Sequence, residues 1–388
     1  MNKSEIIKDD KNFIANTYAR FDIVVKEGHG SKIIDSEGKE YIDCATGIGV
    51  NIFGINDEEW KKAVIEQINK VQHVCNLYYA QPQTELAKLL CEKTGAKKVF
   101  FGNSGAEANE CAIKTARKYS NDKYGDGRYE IITLKDSFHG RTIATLTATG
   151  QDAFHRHFAP FLEGFRYAEP SMEGILSCYT DKTCAVMVEV IQGESGVNVL
   201  ESKFLKNLET FCKERDILLI CDEVQCGNGR TGHLYAYEAF GIHPDIVTTA
   251  KGLGGGLPIG ACMLFEKCER TLGFGDHGTT FGGNPVACAG GASIIRRIDK
   301  NLLLEVQGKG AYFMENISKI SKVKGVSGMG LMIGIDTDKP AREVAEQCLK
   351  KGLIVLTAHK KVRLLPPLNI TKNEIDEALA ILNEVISQ

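Results

Sequence analysis

The sequence contains no apolar run approaching the roughly 20 residues that cross a bilayer, and its opening stretch, MNKSEIIKDDKN, has no apolar signal core. Both absences set the expectation of a soluble, cytoplasmic protein with no membrane among its partners. Charge of one sign is missing too. Against 50 Asp and Glu stand 47 Lys and Arg, for a net −3. There is no basic excess to attract nucleic acid, which is excluded as an expected partner. The thirteen cysteines, from Cys44 to Cys348, include no C-x-x-C pair. Several lie in apolar runs, as Cys184 and Cys221 do, and their odd number suits free thiols in a reducing compartment. The chain also lacks a low-complexity linker and an internal repeat.

What is present is an ordinary globular mixture. Hydrophobic content of 43% over 388 residues accommodates a large core domain and a smaller one. The first 45 residues read as short strands and turns, with 32–34 and 40–42 flanking the turn-rich Asp35-Ser36-Glu37-Gly38 as a hairpin. Further on, apolar spacing predicts helices over 57–71, 106–119 and 202–213. The last presents Phe204, Leu205, Leu208, Phe211 and Cys212 on one face. Near-continuous apolar runs cover 185–191, 217–221 and 246–250. Such runs separated by amphipathic helices point to an α/β fold with a mainly parallel sheet buried on both faces. Strands over 331–335 and 353–356 and a closing helix over 372–387 make the last hundred residues a smaller α+β domain. The expected division is a segment 1–45 joining the small domain, a large domain 46–290, and the small domain 291–388.

Several segments carry chemistry. The run Ile220-Cys221-Asp222-Glu223-Val224-Gln225 brings two carboxylates off a buried strand, where ligands gather in open α/β sheets. An acid there can bind a metal, act as a base, pair with a cationic ring nitrogen, or be solvated in a loop. The next run closes on Ala250-Lys251-Gly252-Leu253-Gly254-Gly255-Gly256. Partial desolvation at a strand end lowers a lysine's pKa, and a neutral amine can attack an aldehyde to form a Schiff base; the plain alternative is a surface lysine. A P-loop places its lysine after the glycines, whereas Lys251 precedes them, and the dinucleotide spacing G-x-G-x-x-G fails at Leu257.

Ser104 and Glu107 fit a capping box. The helix start they mark is either a plain cap or a set of amide N–H groups aimed at a phosphate. In Asp136-Ser137-Phe138-His139-Gly140-Arg141, Phe138 suits stacking on a flat ring, and Arg141 suits a bidentate grip on a carboxylate or a surface ion pair. Thr279 and Thr280 sit in a glycine-rich loop that suits a phosphate or an ordinary turn. The loop spacing His155-x-His157 lacks a completing ligand set, and no metal is expected.

Taken in order, the segments NSGAEA, SFHGR, VIQGE, CDEVQ, AKGLGGGLPIGA, HGTTFGGNP and VRLLPPL resemble the class III (ω-amino acid) aminotransferases of pyridoxal-phosphate fold type I, along nearly the whole chain. The resemblance implies a large domain with a mainly parallel sheet of seven-stranded type flanked by helices, plus the smaller α+β domain. It implies pyridoxal 5'-phosphate as cofactor, with Lys251 as the Schiff-base lysine and the acid/base that moves a proton between the substrate carbon and the cofactor's C4′. Asp222 is implied as partner of the pyridine nitrogen, Gln225 as neighbour of the phenolic oxygen, Phe138 as the stacking ring, and Ser104, Gly105 and Ala106 as the phosphate turn. Glu223 and Val224 are grouped with the cofactor-binding set. Thr280 matches a threonine that reaches the phosphate of the neighbouring subunit's cofactor, which implies a homodimer with its sites at the interface.

For substrates, the resemblance implies Arg141 as the clamp for the carboxylate remote from the reacting carbon, with Thr279 counted among the substrate-binding residues. Arg363 would hold the α-carboxylate of 2-oxoglutarate or glutamate. Glu194 resembles a switch that pairs with Arg363 while an ω-amine occupies the site and releases it when glutamate enters. Within the family the likeness is greatest to members acting on N2-acetylornithine, so the expected reaction moves its δ-amino group to 2-oxoglutarate, in arginine biosynthesis. Ornithine-specific relatives carry a tyrosine where Gly47 stands; glycine leaves room for an acylated amine. Succinyl-diaminopimelate, succinylornithine, ornithine and 4-aminobutyrate remain alternative donors. The chain departs from the family after Phe53-Gly54, where Ile55-Asn56-Asp57-Glu58 replaces a His-x-His-Pro-like stretch. An aminomutase would share Lys251 and Asp222 without needing Arg363 and Glu194, and a non-catalytic cofactor-binding scaffold would be expected to lack Lys251.

Overall fold

The strand Leu218–Asp222 is buried at all five positions, a pattern that requires dry packing on both faces of its sheet. The computed structural model, which describes residues 2–388, supplies that packing. The large sheet contains β1 (Lys98–Gly102), β2 (Glu130–Leu134), β3 (Phe165–Ala168), β4 (Thr183–Val188), β5 (Leu218–Asp222), β6 (Ile246–Thr249) and β7 (Gly260–Leu264). Their order is β1-β7-β6-β5-β4-β2-β3. All pairings from β6 across to β3 are parallel, and β7 alone runs against its neighbours β6 and β1.

The two faces have separate cores. Leu218 and Ile220 of β5 join Ala185 and Met187 of β4 under helix α1 (Gly105–Tyr124), which buries Cys111, Ala112, Ile113 and Ala116 there. Leu219 and Cys221 join Val186 and Val188 on the other side, covered by α2 (Ser202–Glu214) through Phe204, Leu205, Leu208, Phe211 and Cys212. Alternation along a strand sends successive side chains to opposite faces, so each apolar run supplies both cores.

The predicted hairpin forms from Lys32–Asp35 and Glu40–Asp43, with Ile33 opposite Tyr41. Its second strand pairs in parallel with Leu353–Ile354, and the Leu365 amide donates to the Cys44 carbonyl at 2.7 Å. A further antiparallel sheet contains Val323–Met329, Met332–Thr337, Lys361–Leu364 and Leu356–Ala358. Arg230, completely buried, ties the loop after β5 to this region by donating to the carbonyls of Leu331 and Pro366.

Three expectations needed revision. The first 45 residues include a helix, Lys3–Phe13, set by an Asn2–Glu5 capping box that the reading as strands and turns passed over; it buries no residue. The run 185–191 is broken, because β4 ends at Val188 and Ile191–Gln192 pairs instead with Asn198–Val199. The stretch 353–356 is likewise divided between two strands in different sheets. Among the described residues no helix is long and apolar enough to cross a membrane, and all thirteen cysteines are free.

The two-sided core predicts equal sensitivity on its two faces. Ile220→Ala and Leu219→Ala should each lower the unfolding free energy by about 2–5 kcal/mol in urea denaturation. A loss below about 1 kcal/mol at either position would show that face to be open.

Candidate active site

A cavity of about 420 Å³ lies beyond the carboxyl ends of the parallel strands. Its lining comes from the segments after β1 (Asn103 to Ala106), β2 (Phe138 to Arg141), β4 (Glu189), β5 (Asp222, Val224 and Gln225) and β6 (Ala250 and Lys251). Parallel strands all end at one edge of the sheet, so segments distant in sequence meet there.

Asp222 ends β5 with a nearly inaccessible side chain. Its Oδ2 accepts from Asn109 Nδ2 on α1 at 2.8 Å and bonds His139 Nδ1 at 2.8 Å, while Oδ1 accepts the Val224 amide at 3.0 Å. A carboxylate oxygen has two lone pairs, so Oδ1 keeps one for a further donor. Asn109 is fixed in turn: its Nδ2 also donates to the His139 carbonyl, and its Oδ1 accepts from Thr248 Oγ1 of β6 at 2.6 Å.

Lys251 follows β6 directly and has φ +44°, a conformation uncommon outside glycine. Burial lowers its pKa below the ordinary lysine value, opposed in part by Glu194, Asp222 and Glu189. At the amino end of α1, Ser104 Oγ accepts the Glu107 amide at 3.1 Å, and the Glu107 carboxylate accepts from the Asn103 amide. Ser104 therefore caps the helix as predicted, but the reciprocal half of the capping box is missing, because Glu107 takes the amide of Asn103 and not that of Ser104. The next amides, of Gly105 and Ala106, belong to the first turn, which has no intrahelical acceptor. A Cβ on Gly105 would lie 2.7 Å from Val224 Cγ1, and one on Gly260 would lie 2.0 Å from the Ser104 carbonyl oxygen. The cradle therefore closes only with glycine at both positions.

Beside the cavity, Arg363 is buried in a cluster of its own. Its NH1 donates to Glu194 Oε1 at 2.8 Å, Gln225 Oε1 at 2.9 Å and the Gly193 carbonyl at 3.1 Å. Gln225 Nε2 donates to Glu194 Oε1 at 2.9 Å. Burial would raise the Glu194 carboxyl, but Arg363, with help from Lys251 and Gln225, outweighs it and holds the group below the usual carboxylate value. Arg141 is on the exposed side of the cavity, its guanidinium carbon 4.2 Å from the Phe154 ring centroid and 5.5 Å from that of Phe138.

Of the residues expected from sequence, Ser104, Gly105, Ala106, Phe138, Arg141, Asp222, Val224, Gln225 and Lys251 line the cavity. Glu194 and Arg363 adjoin it through Gln225, and Thr279 adjoins it through Asn103, whose Nδ2 donates to Thr279 Oγ1 at 3.0 Å. Thr280 is exposed and outside the lining. Glu223, grouped with the cofactor-binding set, is turned away. Its carboxylate accepts the amides of Ala236 and Tyr237 at 2.8 and 2.7 Å, and burial pushes it up to about 7 against those bonds. Adjacent strand positions face opposite sides, so the face that gives Asp222 the cavity denies it to Glu223. Sequence reasoning missed Asn109, His139 and Glu189. His139 stood one residue from the ring already singled out, and Glu189 is the one charge inside the apolar run 185–191; those were the only signals.

The residues fit pyridoxal phosphate. There is a helix N-terminus for the phosphate, apolar Phe138 and Val224 for a flat ring, a buried acid with one lone pair open, and a buried lysine of lowered pKa. Comparison with known proteins agrees. A family model described as aminotransferase class-III matches residues 13–386. The acetylornithine aminotransferase of Haemophilus ducreyi is 47% identical, with all of both chains covered. Among solved structures, the ornithine aminotransferase of Toxoplasma gondii ME49 superposes with a TM-score of 0.94 at 28% identity, covering 100% of this chain and 95% of that one. The N-acetylornithine aminotransferase of Stenotrophomonas maltophilia K279a gives 0.85 at 33% identity, with 98% of each chain covered. With a buried lysine and acid at one sheet edge and a profile match over almost its full length, this chain belongs to the class-III aminotransferases, pyridoxal-phosphate-dependent transaminases.

Proposed function

We propose that the chain transfers the δ-amino group of N2-acetylornithine to 2-oxoglutarate, giving N-acetylglutamate 5-semialdehyde and glutamate, a step of arginine biosynthesis. The observation that carries the reading is the covered guanidinium of Arg363, paired with Glu194, beside a cavity that also presents Arg141. A diacid such as 2-oxoglutarate needs two carboxylate clamps, whereas an acylated ω-amine needs one.

Pyridoxal phosphate, when bound, supplies an aldehyde that takes up the amino group and a ring that accepts the electron pair left by a departing proton. Ser104, Gly105 and Ala106 bind its phosphate at the amino end of α1, where free N–H groups and the helix dipole favour an anion. Asp222, whose Oδ1 accepts only the Val224 amide, would pair with the pyridine nitrogen and keep it protonated. Lys251 Nζ would move the proton at the donor's reacting carbon, and the burial that lowers its pKa favours the neutral amine this needs. Arg141 orients the donor's α-carboxylate. Glu194 neutralises Arg363 while that donor is bound and swings off it when an α-carboxylate takes its place, so one pocket serves both half-reactions.

The reading also includes a cytoplasmic homodimer, with each Thr280 at the other copy's phosphate. It is supported by Leu77, Tyr79, Phe274 and Phe281, large apolar side chains left exposed, and by Asn76, which ties the two loops carrying them through the carbonyls of Thr279 and Gly282. Thirteen free thiols suit a reducing compartment. We likewise read 1–45 and 291–388 as one small domain beside a large domain 46–290, supported by the pairing of Leu353 with Ile42.

Ornithine is the second reading, favoured by the TM-score of 0.94 to the Toxoplasma gondii enzyme. Identity favours the acylated donor, at 47% against 28%, as does Gly47, whose added Cβ would meet nothing closer than Val50 at 3.8 Å. Loss of the cofactor's visible absorption on adding each amine decides between them. N-acetylornithine should act at the lowest concentration, with ornithine at least about tenfold poorer in kcat/KM. Faster reaction with ornithine would overturn the assignment, and turnover without any 2-oxo acid would point to a mutase.

Two substitutions test the residue roles. Lys251→Ala should slow donor deamination by about a thousandfold or more, and borohydride should fix the cofactor on Lys251 in the native protein and on no residue in the variant. Near-native single-turnover rates would refute the assignment. Glu194→Ala should shift the ratio of kcat/KM for N-acetylornithine to that for glutamate by about tenfold towards glutamate, since it leaves Arg363 uncovered. An unchanged ratio would remove the switch.

A further inference from the structure

Glu189 has no part in the steps above, yet its carboxylate joins the two halves of the substrate site. It follows β4, is almost completely buried, and lines the cavity. Its Oε1 accepts the Phe138 amide at 2.8 Å, and its Oε2 accepts the Gly193 amide at 3.3 Å. Phe138 lies three residues before Arg141, and the Arg141 guanidinium rests over its ring. Gly193 precedes Glu194, and its carbonyl accepts from Arg363. A Cβ on Gly193 would sit 2.2 Å from Gln225 Oε1, so the Gly193 backbone is held between Glu189 and the Gln225–Arg363 cluster. One carboxylate thus spans the backbone that carries Arg141 and the backbone against which Arg363 is seated.

We propose that Glu189 is a positioning residue that sets the separation of the Arg141 and Arg363 guanidinium groups, and with it the chain length of the dicarboxylic 2-oxo acid the enzyme accepts. The proposal rests on the reading of these arginines as the two carboxylate clamps. Two backbone N–H donors converge on one side chain; burial pushes that carboxyl up to about 7 while His139 and the two N–H groups oppose the shift, and its two oxygens give each N–H its own acceptor. In Glu189→Gln the amide oxygen keeps one tie and the amide NH2 opposes the other, so the two loops are no longer held at a fixed distance. In Glu189→Asp both acceptors remain on a stem one methylene shorter, which draws the loops together.

The test is calorimetric binding of the unreactive diacids succinate, glutarate and adipate to the holoenzyme, alongside KM and kcat for 2-oxoglutarate and N-acetylornithine. Native protein should prefer glutarate. Glu189→Gln should reduce that preference by about fivefold, the scale of one lost hydrogen bond, and raise KM for 2-oxoglutarate by a similar factor. KM for N-acetylornithine, which engages one arginine, should stay within about twofold. Glu189→Asp should shift the preference towards succinate, and it keeps the proposal open to refutation if the Gln variant does not fold. Unchanged diacid preference in both variants, or an equal loss for every ligand, would overturn it. Failure of the underlying clamp reading looks different: the native enzyme itself would then show no preference among the diacids.

Discussion

A charge that cannot be solvated organises this molecule. Asp222 ends a strand whose sheet is dry on both faces, and a carboxylate there is tolerated only if donors surround it. Those donors come from three segments: Asn109 on α1, His139 after β2, and the Val224 amide. Asn109 extends the network to Thr248 on β6. The mutual positions of α1, β2, β5 and β6 are therefore tied to one side chain. A network in which each bond polarises the next resists partial disruption, so this acid also holds the walls of the cavity in register.

The second buried charge follows a different rule. Arg363 is neutralised by Glu194 and hydrogen-bonded to the Gln225 side chain and a single backbone carbonyl. Its Nε has no partner. Asp222 is held by a side-chain amide on a helix, a buried imidazole and a backbone N–H. Arg363 is held by a carboxylate that is partly exposed, the setting that the proposed exchange of one anion for another would need.

This contrast also explains what could be read from sequence. Strands buried on both faces leave unbroken apolar runs, and the predicted 217–221 and 246–250 lie within one residue of Leu218–Asp222 and Ile246–Thr249. Lys251 and Asp222 stood out because charge at the end of such a run is conspicuous. Asn109 was invisible, since a buried polar residue on a helix looks like any solvated one until the strand beside it is known. His139 acts on an acid far along the chain, and no local spacing encodes that contact. Glu223 misled because it shares the strand end with Asp222, although the two-residue period already allows only one of them to face the site. The Lys3–Phe13 helix was passed over although Asn2 and Glu5 have the capping-box spacing.

The one reversed strand accounts for the setting of Lys251. A parallel successor to β6 would need a crossover of roughly a dozen residues or more, usually a helix, returning the chain to the far edge of the sheet. Because β7 runs backwards, it starts at the edge where β6 ends, and the short connection between them stays at the site. Gly256, Leu257, Pro258 and Ile259 of that connection form cavity wall immediately after the lysine. The turn is tight enough that Gly255 and Gly256 adopt φ of +58° and +129°. The first residue of β7 then lies against the start of α1, where a Cβ on Gly260 would strike the Ser104 carbonyl. Reversing a single strand thus brings the lysine, its glycine turn and the amino end of α1 to one edge, and the absence of a side chain at Gly260 is what lets them close together.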